Sequence, residues 1–275
     1  MGDMLVPLIA SARMYAWSPS LGAAWRRLLS WVSARAGVDL AVMDERDPTP
    51  LDELWQRADM GCVFMCGYPW ALRRDRPRLL AAPVPSPPRY GNRAVYVTDF
   101  IVSADSSYAR LEDTFGKTIA YSTEHSHSGY NAPRYHLLRY LTPERRALYG
   151  TVIGPLVRQR PVLDAVVEGR ADVAAIDGYA LDLLRRHAPE IAGRVRVVDT
   201  TIPAPSAPLV ASPAASDDAC RALTAALLAA HTAPEIRTVL DELLLSRFAP
   251  TEPKDFDVFL DRERAAQTAG YARLA

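Results

Sequence analysis

The chain has 275 residues, of which 49% are hydrophobic and 23% charged, enough to bury one large α/β core or two smaller ones. Lys plus Arg and Asp plus Glu both number 32, so the formal charge is zero and the basic surplus of a nucleic-acid binder is missing. Three cysteines, Cys62, Cys66 and Cys220, are too few and too scattered for a disulfide framework, and no further ligands cluster near them to suggest a metal.

In chain order, Met4–Ala10 reads as a strand. Ser18-Pro19 then gives a helix cap followed by a proline at the first helical position. Trp25, Leu28, Leu29 and Val32 continue at helical spacing until Gly37. Val38–Met43 is a second strand, Thr49-Pro50 opens a short helix through Trp55 to Ala58, and Met60–Cys66 is a continuous apolar strand with both thiols on one face. This βαβαβ rhythm predicts a parallel sheet covered by helices. The opening segment lacks the basic and apolar regions of a signal peptide, and no apolar run reaches about 18 residues, so no membrane span is expected.

A proline-rich passage, PVPSPPRYG, precedes a long strand expected over Arg93–Ser103. Leu111–Ser122 reads as a helix end, a turn at Gly116 and a strand. Helices follow over Ser128–Leu141, Pro161–Glu168 and Ala180–His187, with strands over Ala171–Ile176 and Arg194–Asp199. A second proline-rich passage, TTIPAPSAPLV, leads to mostly helical patterning over Asp217–Ala230, Pro234–Leu245 and Lys254–Gln267. The two proline-rich passages predict a chain that leaves one lobe, builds another and returns. Residues 1–95 and 205–275 form lobe 1, residues 98–200 form lobe 2, and the crossing strands lie near 93–100 and 198–206.

The segment Tyr121–Tyr135, YSTEHSHSGYNAPRY, joins a strand to a helix. In parallel α/β sheets such junctions face the ligand crevice. Ser126, Ser128 and Gly129 place hydroxyl donors, backbone N–H groups and room at the helix start, which describes an anion cradle. The simpler alternative is that a serine only caps the helix. Asp177 ends an apolar strand and suits either a ligand ammonium or the cap of the next helix. Tyr15, Trp17, Tyr68 and Trp70 follow strand ends, where aromatic rings line a pocket or pack the core.

The stretch SHSGYNAPRYHLL after LEDTFGKTIAYS resembles the phosphate, phosphite and phosphonate substrate-binding components of ABC transporters. AVVEGRADVAAIDGYALDLL, the opening SARMY and MCGYPW extend the resemblance over roughly residues 5–212. It implies a type II periplasmic-binding-protein fold, with two α/β lobes hinged about a cleft that clamps the ligand. It further implies that Ser126, His127, Ser128 and Gly129 hold the oxyanion beside Tyr130, and that Tyr15, Tyr68 and Asp177 line the site. His127 stands where threonine is common and Gly178 where serine is usual. The loop Gly154–Pro161 replaces a glycine-serine-histidine loop and brings Arg158 and Arg160, of which Arg158 joins the expected ligand set. The expected partners are a small anionic ligand and an ABC permease, with no cofactor, no metal and no nucleic acid. A periplasmic location follows from the resemblance, and a cytoplasmic one from the opening residues. The alternative is an enzyme or ligand sensor on the same fold, although no nucleophile–base pair is identifiable.

Overall fold

In the computed structural model, residues 7–44, 47 and 49–274 are described. Of the strand expected over Met4–Ala10, the part from Met4 to Val6 lies outside the described residues.

The chain begins with β1 (Leu8–Ser11), α1 (Pro19–Ala36), β2 (Leu40–Val42), α2 (Leu51–Leu54), β3 (Met60–Phe64), α3 (Gly67–Leu72) and β4 (Arg78–Pro85). Helix α1 starts as its sequence dictates: the Ser18 hydroxyl accepts the Leu21 N–H at 3.3 Å, and Pro19 follows. It stops at Gly37, whose φ of +63° carries no penalty without a Cβ. Its buried face of Leu21, Trp25, Leu28, Leu29 and Val32 contributes about 1.5–3 kcal/mol per large side chain.

Short β5 (Val95–Tyr96) leads to β6 (Thr98–Ser103) and β7 (Thr118–Ala120). A π-helical turn, His127–Asn131, runs directly into α4 (Ala132–Leu137). Then come β8 (Thr151–Ile153), α5 (Gln159–Val167), β9 (Val173–Asp177), α6 (Gly178–His187), α7 (Pro189–Ala192) and β10 (Val195–Thr200). The remainder is β11 (Ala204–Pro205), β12 (Leu209–Ala211), α8 (Asp217–Ala229), α9 (Arg237–Glu242), β13 (Leu245–Ala249) and α10 (Asp257–Thr268).

Two compact units result: Met1–Val95 with Pro205–Asp255, and Tyr96–Ala204 with Phe256–Ala275. The first holds a six-stranded sheet ordered β13-β4-β12-β3-β1-β2, in which β1 runs parallel to β2 and β3. The second holds a five-stranded sheet ordered β10-β6-β9-β7-β8, in which β7 runs parallel to β8 and β9. Its centre is fully apolar: Phe100, Ile101, Val102 and the run Val173–Ile176 have no exposure.

Several expectations need correction. The segment 256–275, expected with residues 205–255, packs instead in the second unit. Tyr271 and Leu274 enter that unit's hydrophobic cluster with Tyr121, Tyr130, Leu137 and Tyr149, and this burial outweighs the charged look of the helix before them. The expected Arg93–Ser103 strand breaks at Val97. The helix expected over Pro234–Leu245 ends at Glu242, and β13 follows after Leu244 at φ +51°. Strand β4 runs through Pro83 and Pro85, the start of the proline-rich passage. Strand β12 pairs with β4 only as far as Ala81, so both prolines lie where one flank has no ladder to donate to. Cys66 is the cap residue of α3 and not on the strand with Cys62. All three thiols are free, and burial pushes that of Cys62 up to about 12.

Candidate functional site: three helix starts on one sheet edge

The parallel neighbours β8, β7 and β9 each run at their carboxyl end into a helix start. Strand β7 leads to Ser126 and the π turn, β8 to Arg158 and α5, and β9 to Asp177 and α6. Parallel pairing therefore brings three sets of helix-terminal N–H groups to one edge of the sheet, where their dipoles favour negative charge.

One side chain ties them together. The Gln159 amide spans from the π turn to α6: its Oε1 accepts the Asp177 backbone N–H at 3.2 Å, and its Nε2 donates to Ser128 Oγ at 3.2 Å. A backbone N–H can only donate, so the amide orientation is set from the Asp177 side. Ser128 Oγ then acts as an acceptor toward Gln159 and keeps its own proton to donate elsewhere. Ser126 is in the same position, since its Oγ accepts the Gly129 N–H at 2.9 Å. Ser126 thus caps the turn, as the simpler reading of the sequence holds, and the bond that makes it a cap leaves its O–H as a donor. Nothing in the sequence marks Gln159, which stands between Arg158 and Arg160.

Gly129 differs from expectation. Its N–H is taken by Ser126, and the space beside its Cα is filled by protein: a Cβ there would stand 2.0 Å from Ser122 Oγ and 3.1 Å from Ser126 Oγ. Glycine lets Ser122 close against the turn. The Ser122 hydroxyl is buried and has no hydrogen-bond partner among the described residues.

His127 does not join its neighbouring serines. It is 1% exposed, its Nε2 lies 3.2 Å from the Arg262 guanidinium, and its ring meets Phe259 edge-on at 4.3 Å. A guanidinium only donates, so Nε2 must accept and the imidazole is neutral. Burial, reinforced by the Arg262 charge, holds its pKa well below the ordinary histidine value. The imidazole thereby holds α10 against the turn, a role no threonine could fill. Asn131 assists by donating its Nδ2 to the Phe259 carbonyl at 2.9 Å.

Asp177 is 5% exposed and caps α6 through the Ala180 N–H at 3.0 Å. Tyr130 packs its ring 5.0 Å from that of Tyr121, with the Arg134 guanidinium 4.7 Å from its centroid. Arg158 is exposed at the start of α5, whereas Arg160 pairs with Asp164 at 2.8 Å on the outside of that helix. Tyr15 and Tyr68 belong to the first unit, beyond the carboxyl ends of neighbouring β1 and β3, and are 2% and 4% exposed. Tyr15 packs edge-on to Phe64 at 5.2 Å and stacks with Trp25 at 6.3 Å. Among the described residues no group of three or more His, Cys, Asp or Glu is placed to hold a metal, and no helix is long and apolar enough to cross a membrane.

Residues 16–256 match the family model described as ABC transporter, phosphonate, periplasmic substrate-binding protein. Among solved structures, the chain is similar to a binding protein component of an ABC phosphonate transporter from Pseudomonas aeruginosa: TM-score 0.79, 18% identity, 96% of this chain and 88% of that one covered. It is similar to PhnD1 from Prochlorococcus marinus in complex with methylphosphonate, with TM-score 0.73, 12% identity, and coverage of 95% and 98%. A third, XAC2383 from Xanthomonas citri bound to ATP, gives TM-score 0.61, 19% identity, and coverage of 96% and 98%. At these identities the structures establish the fold, the mixed α/β class of type II periplasmic binding proteins. No curated protein matches the sequence.

Proposed function

We propose, from the premise that this chain belongs to the family of phosphonate-binding periplasmic substrate-binding proteins of ABC transporters, that it captures a small oxyanion-bearing ligand for an ABC-type uptake system. The ligand is of the phosphate, phosphite or phosphonate class. The family and its fold are those of transport substrate-binding proteins, not of enzymes. The family is described as periplasmic, and we place this chain there, delivering its ligand to an ABC permease.

The observation that carries the reading is the Gln159 bridge. It sets Ser128 as a donor beside Ser126 at a helix start, with the start of α6 at its other end. Hydroxyl protons and helix dipoles then address the ligand oxygens without reorganising, so little ordering cost is left for the moment of binding. Arg158, exposed at the start of α5, supplies a bidentate cation to the same oxygens. Asp177 orients the ligand's distal end through a hydroxyl or an ammonium. Tyr15 packs in the aromatic core of the first unit, and Tyr130 supports the turn from its packed side. His127 has no ligand role in this scheme.

Thermal-shift screening against phosphate, phosphite, methylphosphonate, sulfate and small carboxylates tests the proposal. A ligand at 100 times its Kd stabilises by about 2.7 kcal/mol, a shift of several degrees. Shifts from tetrahedral oxyanions are the expected outcome. Shifts from neutral heterocycles with none from any anion would overturn it.

A further inference from the structure

Two arginines of the second unit are buried without a counter-charge among the described residues. Arg262 on α10 is 4% exposed. Its guanidinium donates to His127 Nε2 at 3.2 Å and to the Pro203 carbonyl at 2.6 Å, and its Nε has no partner among the described residues. Arg134 on α4, also 4% exposed, donates to the Ala272 carbonyl at 2.7 Å and to Asn131 Oδ1 at 3.3 Å, and its Nε too has no partner among the described residues. Every acceptor these two meet is neutral. Elsewhere in the unit the pattern is different: Arg139 and His136 share the Asp199 carboxylate at 2.8 and 2.7 Å.

A buried charge without an opposite charge is costly, because carbonyl dipoles replace only part of its hydration. Both charges bear on one helical run. Arg262 touches the first residue of the π turn through His127, and Arg134 lies in the helix that continues it. The acids flanking these helix starts are already engaged. The Asp177 carboxylate is engaged in capping α6, and Glu124 is exposed and accepts from the Tyr121 hydroxyl.

We infer that Arg134 and Arg262 select the ligand's charge state: without touching it, they favour a dianionic oxyanion at the π turn over a monoanionic one of the same shape. The bound dianion is the counter-charge that the fold leaves out. The inference rests on the oxyanion reading of the turn. It adds to that reading a specificity that neither the serines nor Gln159 supply, since hydroxyl and amide donors serve either charge state.

The test is calorimetric, at a pH where the unesterified probes are dianions. Methylphosphonate is compared with its monomethyl ester, and inorganic phosphate with dimethyl phosphate. In the unaltered protein the dianion of at least one pair binds more tightly. Arg262→Met should weaken that dianion about tenfold more than its ester, the effect of one charge acting through roughly 10 Å of protein interior. Arg262→Lys should restore most of the preference, since it keeps the charge and loses only the fork. Equal weakening of both partners in a pair, or a lysine variant no better than methionine, would reduce Arg262 to packing and overturn the inference while the oxyanion reading stands. If the unaltered protein binds none of the four probes, the two fall together. Should Arg262→Met fail to fold by circular dichroism, Arg134→Met and Arg134→Lys carry the same comparison.

Discussion

Both units run parallel strands into helix starts, yet they finish those strands with different chemistry. In the first, β1 and β3 lead to Tyr15 and Tyr68, and Tyr15 packs with Phe64 and Trp25 in a nearly water-free aromatic group. In the second, β7, β8 and β9 lead to Ser126, Gln159 and Asp177, joined by hydrogen bonds that leave hydroxyl protons unspent. Under the proposed function, the same topology serves stability at the first unit's sheet edge and ligand recognition at the second's. Substitutions should separate accordingly, with large stability costs in the first unit and large affinity costs in the second.

The largest stability effect should come from the aromatic group. Phe64 is 1% exposed, and Phe64→Ala should cost about 3–5 kcal/mol in chemical denaturation, through lost transfer energy and a residual cavity. A loss below about 1 kcal/mol would mean that these rings are not the support that the comparison makes them. Next is Gly129→Ala, whose Cβ would collide with Ser122 Oγ. It should cost about 1–3 kcal/mol and distort the turn, and Ser122→Gly in the same chain should recover most of the loss. No recovery would place the strain elsewhere.

A smaller effect concerns pH. His127 has a folded pKa held below the ordinary 6.5 by burial and by Arg262. The unfolded chain therefore takes up a proton that the folded chain refuses as pH falls through that value. Stability is full above about 6.5 and declines on acidification, by up to about 1.4 kcal/mol per pH unit, until the folded pKa is reached. His127→Gln should flatten the fall of Tm between about pH 6.5 and 5. An unchanged slope would assign the acid sensitivity to other groups. The smallest expected stability effect is that of Ser126→Ala, about 1 kcal/mol for the lost cap.

Much of the frame was legible because local chemistry decides it. Ser18-Pro19 and Gly37 bound α1 as their residue types require, and the apolar runs at Met60 and Val173 are strands buried on both faces. What escaped depends on packing at long range. The run KDFDVFLDRERAAQ reads as a solvated helix face. Yet Phe256, Phe259, Arg262 and Ala266 line one buried stripe, and only the partner surface around His127 and Asn131 reveals where it docks. The resemblance implies His127 as a site residue, but its ring is buried against Phe259 and Arg262 of the last helix. Gln159 could not be singled out, because its value lies in reaching two elements whose adjacency is a property of the sheet order β9-β7-β8.

The central claim is that the hydroxyl set by Gln159 meets the ligand. Calorimetric titration of methylphosphonate and inorganic phosphate into the unaltered protein and into Ser128→Ala tests it most directly. A hydrogen bond to a charged partner is worth about 1.5–3 kcal/mol, so affinity should fall by about one to two orders of magnitude while Tm moves little. Unchanged affinity with a lowered Tm would contradict the account, and would leave Ser128 a structural residue held by Gln159.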